Sequence, residues 1–187
     1  MGQRYSEISD KHKQFIEYQK IFFVGTATSD SRVNISPKGM DSFRVLSKNR
    51  VAWLNETGSG NETSAHIQED SRMTIMFAAF EGKPMILRLY GGAKVIHKND
   101  SEWNELFSLF YSDANLCAGA RQVFDLSVDL VQTSCGMAVP FYDFVEERDQ
   151  LKNWAIKIGE EGIKEYWHKK NKISLDGKPT NIVTKNT

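Results

Sequence analysis

The stretch Glu56-Thr57-Gly58-Ser59-Gly60-Asn61-Glu62-Thr63-Ser64-Ala65-His66 has the make-up of an anion-binding turn. It follows an apolar run and precedes a helical pattern, so a strand should lead into glycines and then into a helix N-terminus. That order aims backbone N–H groups at one point and adds the positive end of the helix dipole. Glycine removes the side chain that would block a phosphate. Ser59, Asn61 and Thr63 place neutral hydrogen-bonding groups around Gly60. No Gly-Lys-Ser/Thr follows and the glycines do not fit GxGxxG, so neither nucleotide-binding motif is present. An ordinary solvent loop with a capped helix would carry much the same residues.

A second candidate is Arg32-Val33-Asn34-Ile35-Ser36-Pro37-Lys38-Gly39. Strand alternation puts Arg32, Asn34 and Ser36 on one face and Val33 and Ile35 on the other. Arg, Asn and Ser in a row, followed by Lys38 beside a proline turn, suit a flat anionic ligand; a half-exposed strand with a polar outer face also reads this way. The third is Gln132-Thr133-Ser134-Cys135-Gly136, where Gln132 and Ser134 can hydrogen-bond a heterocycle. Cys135 has no neighbouring histidine, and an inert thiol is its commoner role. His12, His66, His97 and His168 are scattered, and Cys117 and Cys135 form no CxxC, so no metal site is expected. No side chain announces itself as a catalytic acid or base.

The elements that must hold these groups follow from periodicity. Ile8, His12, Phe15, Ile16 and Gln19 predict a helix over 7–19. Strands are expected at 20–28, at 32–36 with a break at Pro37-Lys38-Gly39, at 43–46 and at 51–55. A short helix capped by Asn61 or Thr63 should run to about Asp70. A hairpin at 73–80 and 85–97 turns around Glu81-Gly82-Lys83-Pro84 and carries a bulge at Gly91-Gly92. A helix at 100–111 should bury Trp103, Leu106, Phe107 and Phe110, ahead of a strand over 122–134 with one irregular step. After Pro140 the pattern turns helical through Trp167, and the tail from Asn171 reads as polar loop. Strands dominate without βαβ alternation, which predicts a mainly β chain with flanking helices (α+β), an antiparallel barrel or sheet.

Composition narrows the function classes. The 187 residues suit one domain, read as 1–187 with a C-terminal helical extension from about residue 146. The 24 Lys and Arg balance 24 Asp and Glu, so there is no basic excess of the kind a nucleic-acid binder carries. No apolar signal region opens the chain and no run nears the roughly 20 residues of a membrane helix, so a cytoplasmic protein without membrane or nucleic-acid partners is expected. The Gly2…Ser6 pattern and the Asn-x-Ser/Thr sequons at Asn34, Asn55, Asn61 and Asn99 read as coincidences of a polar sequence.

The runs FVGTAT, SRVNISPKG, DSFRVL and NRVAWLNETGSGNETSAHI, with RMTIMFAAFEGKPMILRLYGGAKV, together resemble the pyridoxamine 5'-phosphate oxidase-like flavin-binding proteins. VQTSCGMAVPFYDF, ERDQLKNWA and SLDGKPTN extend the likeness over nearly the whole chain. The resemblance implies a split β-barrel that forms a homodimer, with FMN in a cleft between subunits. It implies that Arg32, Asn34, Ser36 and Lys38 lie along the flavin, and that Ser59, Asn61 and Thr63, around Gly60, hold its phosphate. Gln132 and Ser134 would approach the ring or ribityl chain, the partner subunit being one route.

One departure bears on activity. True oxidases of this family follow a Glu-Phe/Tyr-Trp segment with an Arg-Leu-His-x-Arg run that grips the phosphorylated substrate. Here Glu165-Tyr166-Trp167 is followed by His168-Lys169-Lys170-Asn171, and the arginines are missing. The expectation is therefore an FMN-dependent oxidoreductase acting on some other small molecule. The rival readings are a flavin, deazaflavin or haem protein that binds or senses without turnover, and a purely structural dimer.

Overall fold

The computed structural model describes residues 2–113 and 117–187. Eight strands alternate with helices in the order β1 (Gln3–Tyr5), α1 (Asp10–Tyr18), β2 (Phe22–Thr26), β3 (Asn34–Lys38), β4 (Phe43–Ser47), β5 (Arg50–Glu56) and α2 (Glu62–Glu69). Then come β6 (Arg72–Ala78), β7 (Ile86–His97), α3 (Trp103–Phe107), β8 (Ala120–Ser134), α4 (Gln150–Tyr166) and α5 (Ile182–Asn186). The strands form one antiparallel sheet in the order β3-β2-β6-β7-β8-β5-β4, with β1 added to the far end of β8. The two path ends, β3 and β4, do not pair with each other, so the curled sheet stays split along that seam.

Alternation builds the core. Every second residue of β2, Phe22, Val24 and Thr26, is buried, and so are Met73, Ile75 and Phe77 of β6. They meet Val51 and Trp53 of β5, Leu87 and Leu89 of β7, and Phe124 and Leu126 of β8 inside the curl. Trp53 stacks on Phe124 with centroids 4.5 Å apart. On the outer side, Trp103, Leu106 and Phe107 of α3 pack on Ala52, Leu54 and Val123. The expected bulge lies between Tyr90 and Gly91, where a Cβ on Gly91 would run into the Ser127 carbonyl.

Four local expectations are corrected. The strand does not break at Pro37; β3 runs through Lys38, because an edge strand has no ladder bond for the missing N–H of proline to lose. The third helix stops at Phe107 instead of continuing to Tyr111. The chain after Pro140 turns helical only at Gln150, and that helix is interrupted at Gly159, whose φ is 66°. The tail from Asn171 is not a loose loop. A π-helical turn (Trp167–Asn171), a small Ile173–Pro179 bridge and α5 tuck back against the sheet, with Trp167, Asn171, Thr180 and Ile182 buried.

Candidate functional site

The seam between β3 and β4 opens into a groove of about 370 Å³ at the N-terminus of α2. One wall is β3, which presents Asn34, Ser36 and Lys38. The opposite wall is the end of β5 with the Gly58–Asn61 loop and the first turn of α2. Seven of the residues read from the sequence therefore converge here: Asn34, Ser36, Lys38, Ser59, Gly60, Asn61 and Thr63. The Asn34 amide donates to Thr63 Oγ1 at 3.2 Å and ties the two walls together.

Three others stand elsewhere. Arg32 precedes β3, and its exposed guanidinium and backbone N–H both bind the Asp176 carboxylate. Gln132 and Ser134 sit at the far end of β8. Gln132 Oε1 accepts from the Tyr90 hydroxyl at 3.1 Å, and Ser134 Oγ accepts from Arg88 at 3.2 Å. Arg88 and Tyr90 border the outer face that also carries Val33 and Ile35.

Arg121 and Glu62 also line the groove, and neither is assigned to this site by the sequence. Arg121, on β8, is 2% exposed. Its Nη2 donates to the Gly60 carbonyl at 2.7 Å, while Nε and Nη1 have no partner among the described residues. A buried guanidinium with two unspent donors is costly unless something anionic meets it. Burial disfavours its charge, and the Glu62 carboxylate opposes that effect. An arginine at the start of the strand pattern that alternates through Val123, Leu126 and Val128 is the available signal.

Lys38 is the second cation. Its ammonium lies over the Trp53 ring, 5.1 Å from the centroid. Burial first, then the nearby Arg121 charge, pull its pKa down to about 8. Asn61 occupies the N-cap position of α2, yet its side chain makes no capping bond, and both amide atoms are buried without partners. Ser36 Oγ and Trp53 Nε1 are likewise buried and unpartnered. Unspent donors thus cluster in and beside one groove where the first N–H groups of α2 emerge, which is the donor set of a phosphate with a polar, hydroxyl-bearing body.

The turn joining the two edge strands, Gly39–Ser42, forms the rim. Met40 and Asp41 hold left-handed backbone, with φ of 61° and 51°, a conformation that costs non-glycine residues energy. Arg44 clamps it by donating to the Asp41 carbonyl at 2.8 Å and to both carboxylate oxygens at 2.9 and 3.0 Å.

Residues 8–135, the span that supplies all of the groove lining but Leu151, match the family model described as Pyridoxamine 5'-phosphate oxidase. The chain belongs to that family. The pyridoxamine 5'-phosphate oxidase family protein ustO of Aspergillus flavus is 34% identical over 193 residues, covering 94% of this chain and 76% of that protein. Two solved structures share the fold. HupZ of Group A Streptococcus has a TM-score of 0.54 at 18% identity, over 66% of this chain and 91% of its own. A putative pyridoxamine 5'-phosphate oxidase of Lactobacillus delbrueckii has a TM-score of 0.53 at 17% identity, over 68% and 94%. The family match stops at Cys135, so α4 and everything after it lies beyond the matched span. Membership brings no substrate. Glu165-Tyr166-Trp167 runs into the π-helical turn, where Trp167 points inward to Thr57 and His168, Lys169 and Lys170 are exposed.

Proposed function

We propose that the groove binds FMN and that the protein is a flavin-dependent oxidoreductase on a small molecule other than pyridoxamine 5'-phosphate. The observation that carries this reading is the convergence of Arg121 Nε and Nη1 with the free Asn61 amide at the start of α2, within the electrostatic reach of Lys38. Those groups would take the phosphate, while Asn34 and Ser36 along β3 would meet the ribityl hydroxyls. When bound, FMN supplies hydride and single-electron chemistry; the protein orients it and tunes it by hydrogen bonds and nearby charge. Lys38, held over Trp53, would keep a positive charge beside the cofactor below about pH 8. A haem fits less well, because the groove lining contains no imidazole, thiol or phenol among the described residues, leaving Met40 as its one soft ligand.

A second copy of the chain would complete the site. Val33, just ahead of β3, and Ile35, on the strand's opposite face, are 71% and 68% exposed. They border a shallow hollow of about 580 Å³ with Met76, Arg88 and Tyr90. Two exposed aliphatic side chains on an edge strand suit a subunit interface. The same face carries Gln132 and Ser134, which a two-fold arrangement would bring to the flavin of the partner.

The test is spectroscopic and then kinetic. Purified protein titrated with FMN should bind one flavin per chain, be reduced by a nicotinamide cofactor and be reoxidised with turnover. Binding without reduction would support a carrier or sensor instead. Failure to bind FMN would overturn the reading.

A further inference from the structure

The groove faces forward, but the residues that shape it are held from behind by a segment outside the family match. Trp167 Nε1 donates to Thr57 Oγ1 at 2.9 Å, at the start of the glycine loop. Asn171 Nδ2 donates to the Gly58 carbonyl at 3.0 Å and reaches the Ser59 carbonyl at 3.5 Å. The Thr180 carbonyl accepts from Ser64 Oγ at 3.1 Å, on the first turn of α2. Asn186 Nδ2 donates to the Arg121 carbonyl at 2.7 Å. The four grips therefore fall on the loop entrance, the loop itself, the helix and the buried cation.

The segment is fixed in turn. Thr180 Oγ1 donates to the Asn171 carbonyl at 2.6 Å, and the Lys98 N–H donates to Asn186 Oδ1 at 2.9 Å. Trp167, Asn171, Thr180 and Ile182 are at most 1% exposed. Asn171 is the key contact. It is the side chain that holds Gly58 and Ser59 by their carbonyls, and because the N–H of a trans peptide lies opposite its carbonyl, drawing those oxygens toward the tail sets the Ser59 and Gly60 N–H groups away from it. A hydrophobic side chain would pack the same space without doing this.

We infer that Trp167–Asn186 pre-organises the anion-binding loop, and that Asn171 is the positioning residue for the phosphate of the cofactor. This rests on the reading of the groove as the FMN phosphate site. The side chain does not touch the ligand; it acts through the Gly58–Ser59 backbone. Its loss should therefore weaken recognition of the phosphate and leave recognition of the ring and ribityl chain unchanged.

Asn171→Leu and Thr180→Val test this. Dissociation constants for FMN and for riboflavin, which lacks the phosphate, are measured for both variants and the wild type. The inference expects the preference for FMN over riboflavin to fall by about tenfold, the scale of one or two lost hydrogen bonds, with riboflavin affinity held. Equal weakening of both ligands, or an unchanged preference, would overturn it. Thr180→Val loosens the same anchor without touching the Asn171 side chain, so it still decides the matter if Asn171→Leu fails to fold. A second probe separates this inference from the flavin reading: inorganic phosphate alone should raise the melting temperature of the wild type but not of the variants. If the wild type ignores FMN yet shows that phosphate difference, the flavin reading fails and the positioning role stands. If phosphate stabilises all three chains equally, the positioning role fails.

Discussion

Replacing Arg121 by methionine should move affinity and stability in opposite directions. The side chain is 2% exposed and its guanidinium spends one donor on Gly60, leaving Nε and Nη1 unpaired. In the ligand-free protein this is a buried charge with incomplete compensation, a situation worth about 1–3 kcal/mol of destabilisation. Methionine fills most of the volume without the charge. It frees the Gly60 carbonyl, which offsets part of the gain, so the net effect expected is on the order of 1 kcal/mol of added stability, or roughly 2–4 °C for a chain of this size. The bound state loses instead. Hydrogen bonds to a charged partner contribute about 1.5–3 kcal/mol, so FMN affinity should fall roughly 10- to 150-fold. Thermal melts without ligand and flavin-fluorescence titrations read the two halves independently. Lower stability together with unchanged FMN affinity would instead make Arg121 a structural cation with no part in binding the phosphate.

Five further outcomes are expected. FMN affinity should weaken above about pH 8 as Lys38 loses its proton in the free protein; Lys38→Met should bind weakly and lose the step near pH 8. The sign for stability is the reverse: since the folded pKa lies below the usual lysine value, the ligand-free protein gains stability from Lys38 between about pH 8 and 10.5, as equilibrium denaturation across that range would show. Glu62 sits in the groove and acts on both Lys38 and Arg121, so Glu62→Gln should tighten FMN binding a few-fold; weaker binding in a titration would mean that the carboxylate holds a ligand hydroxyl. Burial drives the His97 pKa down to about 4 while its Nε2 accepts from Gln122 at 3.1 Å, so stability should drop as pH falls from about 6.5 through 4, and less so in His97→Gln. Burial and the Glu56 carboxylate push the Cys117 thiol up to about 12, so brief alkylation at pH 8 should label exposed Cys135 and spare Cys117, as peptide mass mapping would report.

The polar wall of the groove could be read from local rules. Asn34 and Ser36 alternate with Val33 and Ile35, and a period of two fixes their faces whatever the rest of the fold does. The glycine loop was equally readable, since a strand, glycines and a helix start within a dozen residues of each other. Arg32 obeyed the same alternation but escapes it, because β3 begins two residues later and its counter-ion, Asp176, comes from the far end of the chain. Pro37 looked like a strand break because nothing local says that β3 is an edge.

The role of Arg121 and of the tail was hidden for a common reason. Asn171, Thr180 and Asn186 are polar residues in a polar stretch, and composition reads them as surface. They are buried because each finds a partner distant in sequence: Gly58 for Asn171, Ser64 for the Thr180 carbonyl and Arg121 for Asn186. Such burial is a property of pairs, and a pattern along one strand or helix does not contain it.

The central claim is that the α2 N-terminus, Arg121 and Lys38 form the phosphate site of a flavin. A crystal structure of the protein grown with FMN tests it most directly. A phosphate is expected within hydrogen-bond distance of Arg121 Nε or Nη1 and of the N–H groups at Asn61–Thr63, with the ribityl chain running along Asn34 and Ser36. A flavin seated elsewhere, or a phosphate out of reach of Arg121, would contradict it.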